Sequence, residues 1–280
     1  AGLAGAVCLL GSATPGVESR FRAEQQDWGL LRLPARILAH KEAVQAHRVR
    51  FPQAVSRYRP VSAEAEMAAL PPVRLVDMRQ ELKAGNRSIF SRALQTALGE
   101  TLAHGQQAIL FLNRRGTATY VFCRDCGHAL KCPRCTDLAL TYHRPENQLA
   151  CHHCGYTRKV PTKCPACGSA RIRHYGTGTE RVESEVAALF PRARTLRWDW
   201  ETTRKKGAHE AIMRQFAGHE ADVLVGTQML AKGLDLPLVT LVGVVLAEVG
   251  LNLPDFRAGE RTFQVLSQGA GRAGRSPLGG

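Results

Sequence analysis

Cys123-Arg-Asp-Cys126, Cys132-Pro-Arg-Cys135, Cys151-His-His-Cys154 and Cys164-Pro-Ala-Cys167 hold eight of the nine cysteines of the chain. A Cys-x-x-Cys turn presents two thiolates at the separation a tetrahedral zinc ion needs, so four such turns make two complete Cys₄ sites. Gly127, Gly155 and Gly168 follow three of the pairs and permit the positive-φ turn that aims backbone amides at the sulfurs. A disulfide scaffold is the alternative. The regular, Gly-terminated pairing and the lack of a secretory signal argue against it.

Loop lengths decide which pairs share a metal. Only five residues separate Cys126 from Cys132, too few for the chain to reverse and close both turns on one ion. Between Cys135 and Cys151 runs LALTYH-RPEN-QLA, two alternating segments around a Pro/Asn turn, which is a hairpin signal. A hairpin with a Cys-x-x-Cys turn near each end is a zinc ribbon. Cys132, Cys135, Cys151 and Cys154 are therefore expected to bind one zinc, and Cys123, Cys126, Cys164 and Cys167 the other. His128, His143, His152 and His153 are alternative donors, not needed where eight thiols suffice. Cys8, alone in the apolar run VCLLG, reads as a small buried hydrophobe.

Outward from this block, composition sets limits. A chain of 280 residues that is 44% hydrophobic can bury a core and hold more than one domain. Its formal charge of +14 points to a polyanionic partner. The longest apolar run, 236–249, is broken by Pro237, Thr240 and Glu248 and reads as a buried strand, not a membrane span. Thiols used as ligands fit a reducing, cytoplasmic setting. The chain starts without Met and in mid-pattern, as a piece of a longer protein would.

Residues 6–10 read as a strand running into the loop Ser12-Ala13-Thr14-Pro15. Residues 39–70 turn basic and then Ala/Glu-rich, as a linker or surface insertion would. An amphipathic helix is expected over 88–104 with Ser88 as its cap, followed by a buried strand at Gln107–Asn113. Beyond the cysteines come a helix opened by Thr177 and Glu180 at capping-box spacing, a strand at 194–198, a helix at 208–217, strands at 222–226 and 239–245, and a last helix from about Glu260. Strands alternating with helices imply a parallel sheet covered on both faces, into which the cysteine block is inserted.

Two further stretches carry chemistry. Gln268-Gly-Ala-Gly-Arg272-Ala-Gly-Arg275 sets two arginines three apart, on one face if helical, as a phosphate clamp would require. Gly226-Thr227-Gln228 leaves a buried strand directly and continues into Lys232-Gly-Leu-Asp235-Leu-Pro237, a loop at the end of a parallel strand where α/β folds bind ligands.

Taken together, Gly11-Ser-Ala-Thr-Pro15, Gly226-Thr-Gln-Met-Leu-Ala-Lys-Gly233 and Gln268 to Arg275 resemble motifs III, V and VI of superfamily 2 helicases. Leu112-Asn-Arg-Arg-Gly116 running into the cysteines, and Asp255-Phe-Arg-Ala-Gly-Glu-Arg-Thr-Phe263, narrow the match. Nearly the whole chain resembles the PriA (primosomal protein N′) family of replication-restart helicases. The fold this implies is α/β: a RecA-like second helicase lobe with an inserted two-zinc ribbon module and the tail end of the first lobe. The implied divisions are 1–38 (end of lobe 1), 39–80 (linker or insertion), 81–121 (lobe 2, first part), 122–175 (zinc module) and 176–280 (lobe 2, second part).

The resemblance implies an ATP-driven 3′→5′ DNA helicase that recognises stalled forks and starts primosome assembly. Implied partners are forked DNA, single-strand-binding protein and other primosome and helicase-loading proteins, with no membrane contact, in a monomer at bacterial replication forks. By motif, Arg272, Arg275 and Gln268 would act at the ATP phosphates and Asp235, Gly233 and Gly271 would line the nucleotide with its Mg²⁺. Ser12, Thr14, Thr227, Gln228 and Arg114 would contact DNA or couple the lobes. A GxxxxGK[ST] loop and an acidic Mg²⁺-binding box do not occur in these 280 residues and are expected upstream. A competing reading is a zinc-dependent DNA-binding and scaffolding module with no turnover of its own. Either way, Arg124, Lys131, Arg134, Arg144, Arg158, Lys159 and Lys163 are the expected basic surface of the zinc module.

Overall fold

The computed structural model describes residues 7–25, 28–32, 37–40, 49, 58–60, 65–68, 71–113, 119–135, 139–143, 147–174, 178–199, 201–205, 207–227, 236–252, 255–273 and 278. In chain order the elements are α1 (Val17–Glu24), β1 (Ile37–His40), β2 (Tyr58–Pro60), β3 (Ala65–Ala68), α2 (Met78–Lys83), α3 (Arg92–Ala103), β4 (Gln107–Leu112), β5 (Thr119–Cys123), β6 (Thr141–His143), β7 (Gln148–Ala150), β8 (Thr157–Lys159), β9 (Ile172–His174), α4 (Thr179–Leu189), β10 (Thr195–Trp198), α5 (Ala208–Ala217), β11 (Val223–Gly226), β12 (Val239–Val245), a 3₁₀ helix (Ala247–Asn252) and α6 (Ala258–Ala270).

The expected parallel sheet is present, with strand order β10-β11-β4-β12. A strand with parallel neighbours on both sides is buried on both faces, and all six residues of β4 are buried. Alternation sorts them. Ala108, Leu110 and Leu112 join Val223 and Val225 against Leu98 of α3 and Val182 and Val186 of α4. Ile109 and Leu224 face the other way, onto Ile212, Met213 and Phe216 of α5. Gln107 is buried at the start of β4 because its amide nitrogen donates to the carbonyls of Phe216 and Ala221, each at 2.7 Å. Gly226 ends β11 opposite Trp198, whose carbonyl oxygen lies 2.9 Å from where a Cβ would sit, so a larger residue would force these strands apart.

The cysteine block forms its own five-stranded antiparallel sheet, β8-β7-β6-β5-β9. The ingoing strand β5 pairs with the outgoing β9, so the insertion leaves and rejoins the lobe at one place. Its core is Val121, Leu130, Leu140, Tyr142, Leu149 and Ile172 together with buried cysteines, and shares no residue with either face of the parallel sheet.

Several expectations are corrected. The helix expected from Ser88 starts at Arg92, and Ser91 is its cap, accepting from the Leu94 amide at 3.1 Å. Two serines three apart offer two caps, and the wholly buried Phe90 between them fixes the later one. The helix expected from Thr177 starts at Thr179 after Gly178, and Thr179 gives its hydroxyl to Asp199 instead of capping. Within 39–80, read as a linker or insertion, lie β2, β3 and the start of α2, and β1, β3 and β2 make an antiparallel sheet in that order, which an insertion accommodates. Residues 7–12 are not a strand, and Cys8 is exposed, not buried. Among the described residues no strand pairs with this run, so Val7 and Leu9 stay 98% and 80% exposed.

Candidate metal centres and motor site

The four Cys-x-x-Cys turns gather into two groups, Cys123/Cys126/Cys164/Cys167 and Cys132/Cys135/Cys151/Cys154, the sulfurs of each lying within 4.8 Å of one another. This is the nested pairing expected from loop length. The β6–β7 hairpin, with Tyr142 opposite Leu149, folds the second and third turns onto each other. Three turns share one geometry. Gly127, Gly155 and Gly168 take φ of 75°, 71° and 71°, and their amides donate to the carbonyls of Cys123, Cys151 and Cys164 at 2.8–2.9 Å. Positive φ at these glycines curls each turn so that its inner amides face the thiol.

Cys123–Cys167 and Cys126–Cys164 stand 3.6 and 3.7 Å apart, and Cys132–Cys154 and Cys135–Cys151 stand 3.5 and 4.0 Å apart. A tetrahedron with zinc–sulfur bonds of about 2.3 Å has edges of about 3.8 Å, whereas a disulfide would require about 2.05 Å. The residues fit a zinc ion in each centre.

The thiol electrostatics agree. Cys151 is held down to about 6, chiefly by the backbone amides of Cys154 and His153. Burial opposes ionisation of Cys164, yet the amides of Ala166 and Cys167 bring it to about 7. Burial and the neighbouring thiols push Cys135 up to about 12. At Cys167 the Ser169 amide lowers the value, but the thiols of Cys126, Cys123 and Cys164 prevail and carry it to about 12. Four sulfurs this close cannot all ionise unless a cation stands among them, and a bound metal deprotonates its thiols outright. His153 Nδ1 lies 3.4 Å from Cys135 Sγ, outside both cysteine sets, as expected of a residue that does not ligate.

At the carboxyl end of the parallel sheet, the ends of β4 and β12 and the start of α6 meet. Asn113 donates its side-chain amide to the Ala247 carbonyl at 2.8 Å. Gly250 of the 3₁₀ helix packs so closely that a Cβ there would collide with Thr262 Oγ1 and lie 2.9 Å from Asn113 Nδ2. Across from these, Gln268 on α6 donates to Thr14 Oγ1 at 3.2 Å, and Ser12 Oγ accepts from the Thr14 amide at 3.1 Å. Segments 254 residues apart that carry two of the helicase-like motifs are thus in contact.

Sequence reasoning missed how α6 extends that contact. Glu260 accepts from the Val17 amide at 3.0 Å and from Gln264 at 3.2 Å, and Arg257 pairs with Glu18 at 3.0 Å. Glu260, Gln264 and Gln268 recur every four residues, a polar stripe legible in the sequence once α6 is known to pack on the 12–18 segment. Asp255 accepts from the Arg257 amide just ahead of the helix.

Thr227 follows β11 directly, as expected. α6 ends at Ala270 with Gly271 as its cap, so Arg272 lies just beyond the helix. Gly269 and Gly271 make helix continuation costly, about 1 kcal/mol each relative to alanine. Arg275, Gln228, Gly233, Asp235 and Arg114 lie outside the described residues.

A doubly covered parallel lobe with an inserted double Cys₄ ribbon defines the second motor lobe of a helicase. Its matches agree: residues 192–277 match the helicase conserved C-terminal domain, and residues 132–159 match the PriA DNA helicase Cys-rich region domain. Nearly the whole chain is similar to replication restart proteins named PriA. It is 49% identical over 267 residues to the replication restart protein PriA of Bacillus subtilis (strain 168), covering 95% of this chain and 30% of the relative. The PriA of a Synechocystis species is 49% identical over 95% of this chain and 30% of its own length, and that of Chlamydia pneumoniae 40% over 99% and 34%. The chain therefore spans about a third of the length of these relatives.

Proposed function

We propose that this chain is the second motor lobe and zinc module of an ATP-dependent 3′→5′ DNA helicase that recognises stalled replication forks, opens them and starts primosome assembly. The observation that carries the proposal is the contact of Thr14 with Gln268 on a lobe that also bears a double Cys₄ insertion. A residue from the end of one lobe touching the helix that leads to the arginines is what coupling of nucleotide state to lobe position requires. In this reading Arg272 and Arg275 contact the phosphates with Gln268 beside them, and Gly233, Asp235 and Gly271 line the nucleotide, which brings Mg²⁺. Thr227, Gln228, Arg114 and Ser12 serve the DNA side and the coupling.

Cys123, Cys126, Cys164 and Cys167 would hold one structural zinc, and Cys132, Cys135, Cys151 and Cys154 the other. When bound, each ion supplies a four-way crosslink. The module offers DNA a basic edge: β8 is the outermost strand, Thr157, Arg158 and Lys159 are all exposed, and Lys163 follows. Binding there should weaken steeply with salt and ignore base sequence, because phosphates are what lysine and arginine read on a backbone. Single-strand-binding protein and loader proteins are the partners the reading implies, at bacterial forks and in a monomeric motor.

The test is Arg275→Ala in the full-length protein. Hydrolysis of ATP stimulated by DNA should fall about 10³-fold or more with DNA affinity nearly intact, because an arginine finger acts on charge that develops in the transition state. Cys164→Ser should spare hydrolysis and damage unwinding. Normal turnover by Arg275→Ala, or ATP hydrolysis by the purified 280-residue chain, which contains no phosphate-binding loop, would refute the proposal.

A further inference from the structure

Arg124 sits between the two cysteines of the first turn, among residues whose charge suggests a DNA contact. Its guanidinium is engaged elsewhere: Nη2 donates to the carbonyls of Arg87 and Ser88 at 2.9 and 2.8 Å, in the lobe proper. Those two carbonyls belong to a loop that organises the covered face of the sheet. Asn86 donates to the Phe90 carbonyl at 2.9 Å and accepts from the Ser88 amide at 3.0 Å. Ser88 Oγ accepts from the Phe90 amide at 3.0 Å and donates to Glu185 of α4 at 2.6 Å. Phe90 is wholly buried in the core, and Ser91 caps α3. The loop thus ties α3 to α4, and Arg124 ties the loop to a cysteine turn.

A second guanidinium flanks the same turn. Arg79 of α2, fixed by Asp77 at 2.7 Å, passes 3.5 Å from the position a Cβ on Gly127 would take. Four thiolates around a divalent cation keep an excess of negative charge, which neighbouring cations stabilise.

We infer that Arg124 is a positioning residue that locks the outer Cys₄ centre, Cys123/Cys126/Cys164/Cys167, to the motor lobe, so that metal occupancy of that centre and order of the 86–91 loop support each other. The inference rests on the zinc reading above, and goes beyond it by naming the joint through which the zinc module and the motor sense one another. Binding linkage is reciprocal, so whatever the tie contributes to holding the metal, the metal contributes to holding the loop.

The experiment uses the whole 280-residue chain loaded with zinc. Total zinc is counted first, and fewer than two ions per chain would sink the zinc reading by itself. With two present, release to a metallochromic chelator and hydrogen exchange of the 86–91 loop are followed. Arg124→Ala should speed release of one zinc at least about tenfold, the scale of losing a hydrogen bond from a charged donor, and leave the other unchanged. The Ser88 and Phe90 amides should exchange faster by a similar factor. Arg124→Lys keeps the charge without the planar fork and should restore only part of the effect. In a Cys164→Ser chain, which lacks the outer centre, Arg124→Ala should not alter release of the remaining zinc. A chain with Arg124→Ala that never fills the outer centre but keeps the inner one is the same result at its limit. Two zincs released at wild-type rates, loss of both centres together, or loop exchange that ignores removal of the metal would overturn the inference.

Discussion

Nested pairing predicts that the two centres fail differently, and Cys132→Ser tests this. The substitution removes one of four sulfurs from the inner centre, where Cys132 and Cys154 lie 3.5 Å apart and 22 residues apart in sequence. A structural zinc contributes on the order of 10 kcal/mol or more, as much as the whole stability of a typical small domain, so the β6–β7 ribbon should melt. The outer centre should survive. It bridges Cys123 and Cys167, 44 residues apart, and closing a flexible loop of twice the length costs only about 0.6 kcal/mol more. The lobe should survive too, since the ribbon core shares no residue with either face of the parallel sheet. Metal counting should return one zinc per chain, with hydrogen-exchange protection lost over 139–150 and kept in β4, β11 and β12. Two zincs retained, none retained, or loss of protection in the parallel sheet would refute the reasoning.

Gln107→Leu strands the Phe216 and Ala221 carbonyls without their donor, and should cost about 2–4 kcal/mol in denaturant unfolding at nearly unchanged side-chain volume. Gly250→Ala sets a methyl group against Thr262 and Asn113, and should cost about 1–3 kcal/mol while displacing α6 and with it the Gln268–Thr14 contact. Asp222 is held below the usual carboxylate value of 3.8, chiefly by the side chain of Arg194, with His219 also beside it. Its folded pKa being depressed, the stability it adds is complete above the unfolded value and fades as pH falls through the folded one. Asp222→Asn should therefore be less stable than the native chain at neutral pH, and the gap should close in acid-unfolding curves below about pH 4.

Much of the candidate site was legible because its signals are local. The ligand pairing followed from five residues between Cys126 and Cys132 and from a hairpin between Cys135 and Cys151, both matters of chain reach. The parallel sheet followed from apolar runs such as Gln107–Leu112. What went unread depended on competition between local options. Ser88 and Ser91 are equally good caps on paper, and only burial of Phe90 selects between them. Spacing alone does not say where α6 ends, and it stops two residues short of Arg272.

Sequence by itself determined the chemistry of this chain: eight thiols in four turns, a doubly covered parallel lobe and the arginine-bearing stretch near its end. These are short-range properties, set by spacing, periodicity and residue type. Tertiary structure alone decided the partnerships across the chain: Gln268 with Thr14, Glu260 with the start of α1, and Arg124 with the carbonyls of Arg87 and Ser88. A polar side chain has many possible partners of similar strength in the unfolded chain. Which one it keeps is fixed only when burial of the apolar faces has set the distances between elements.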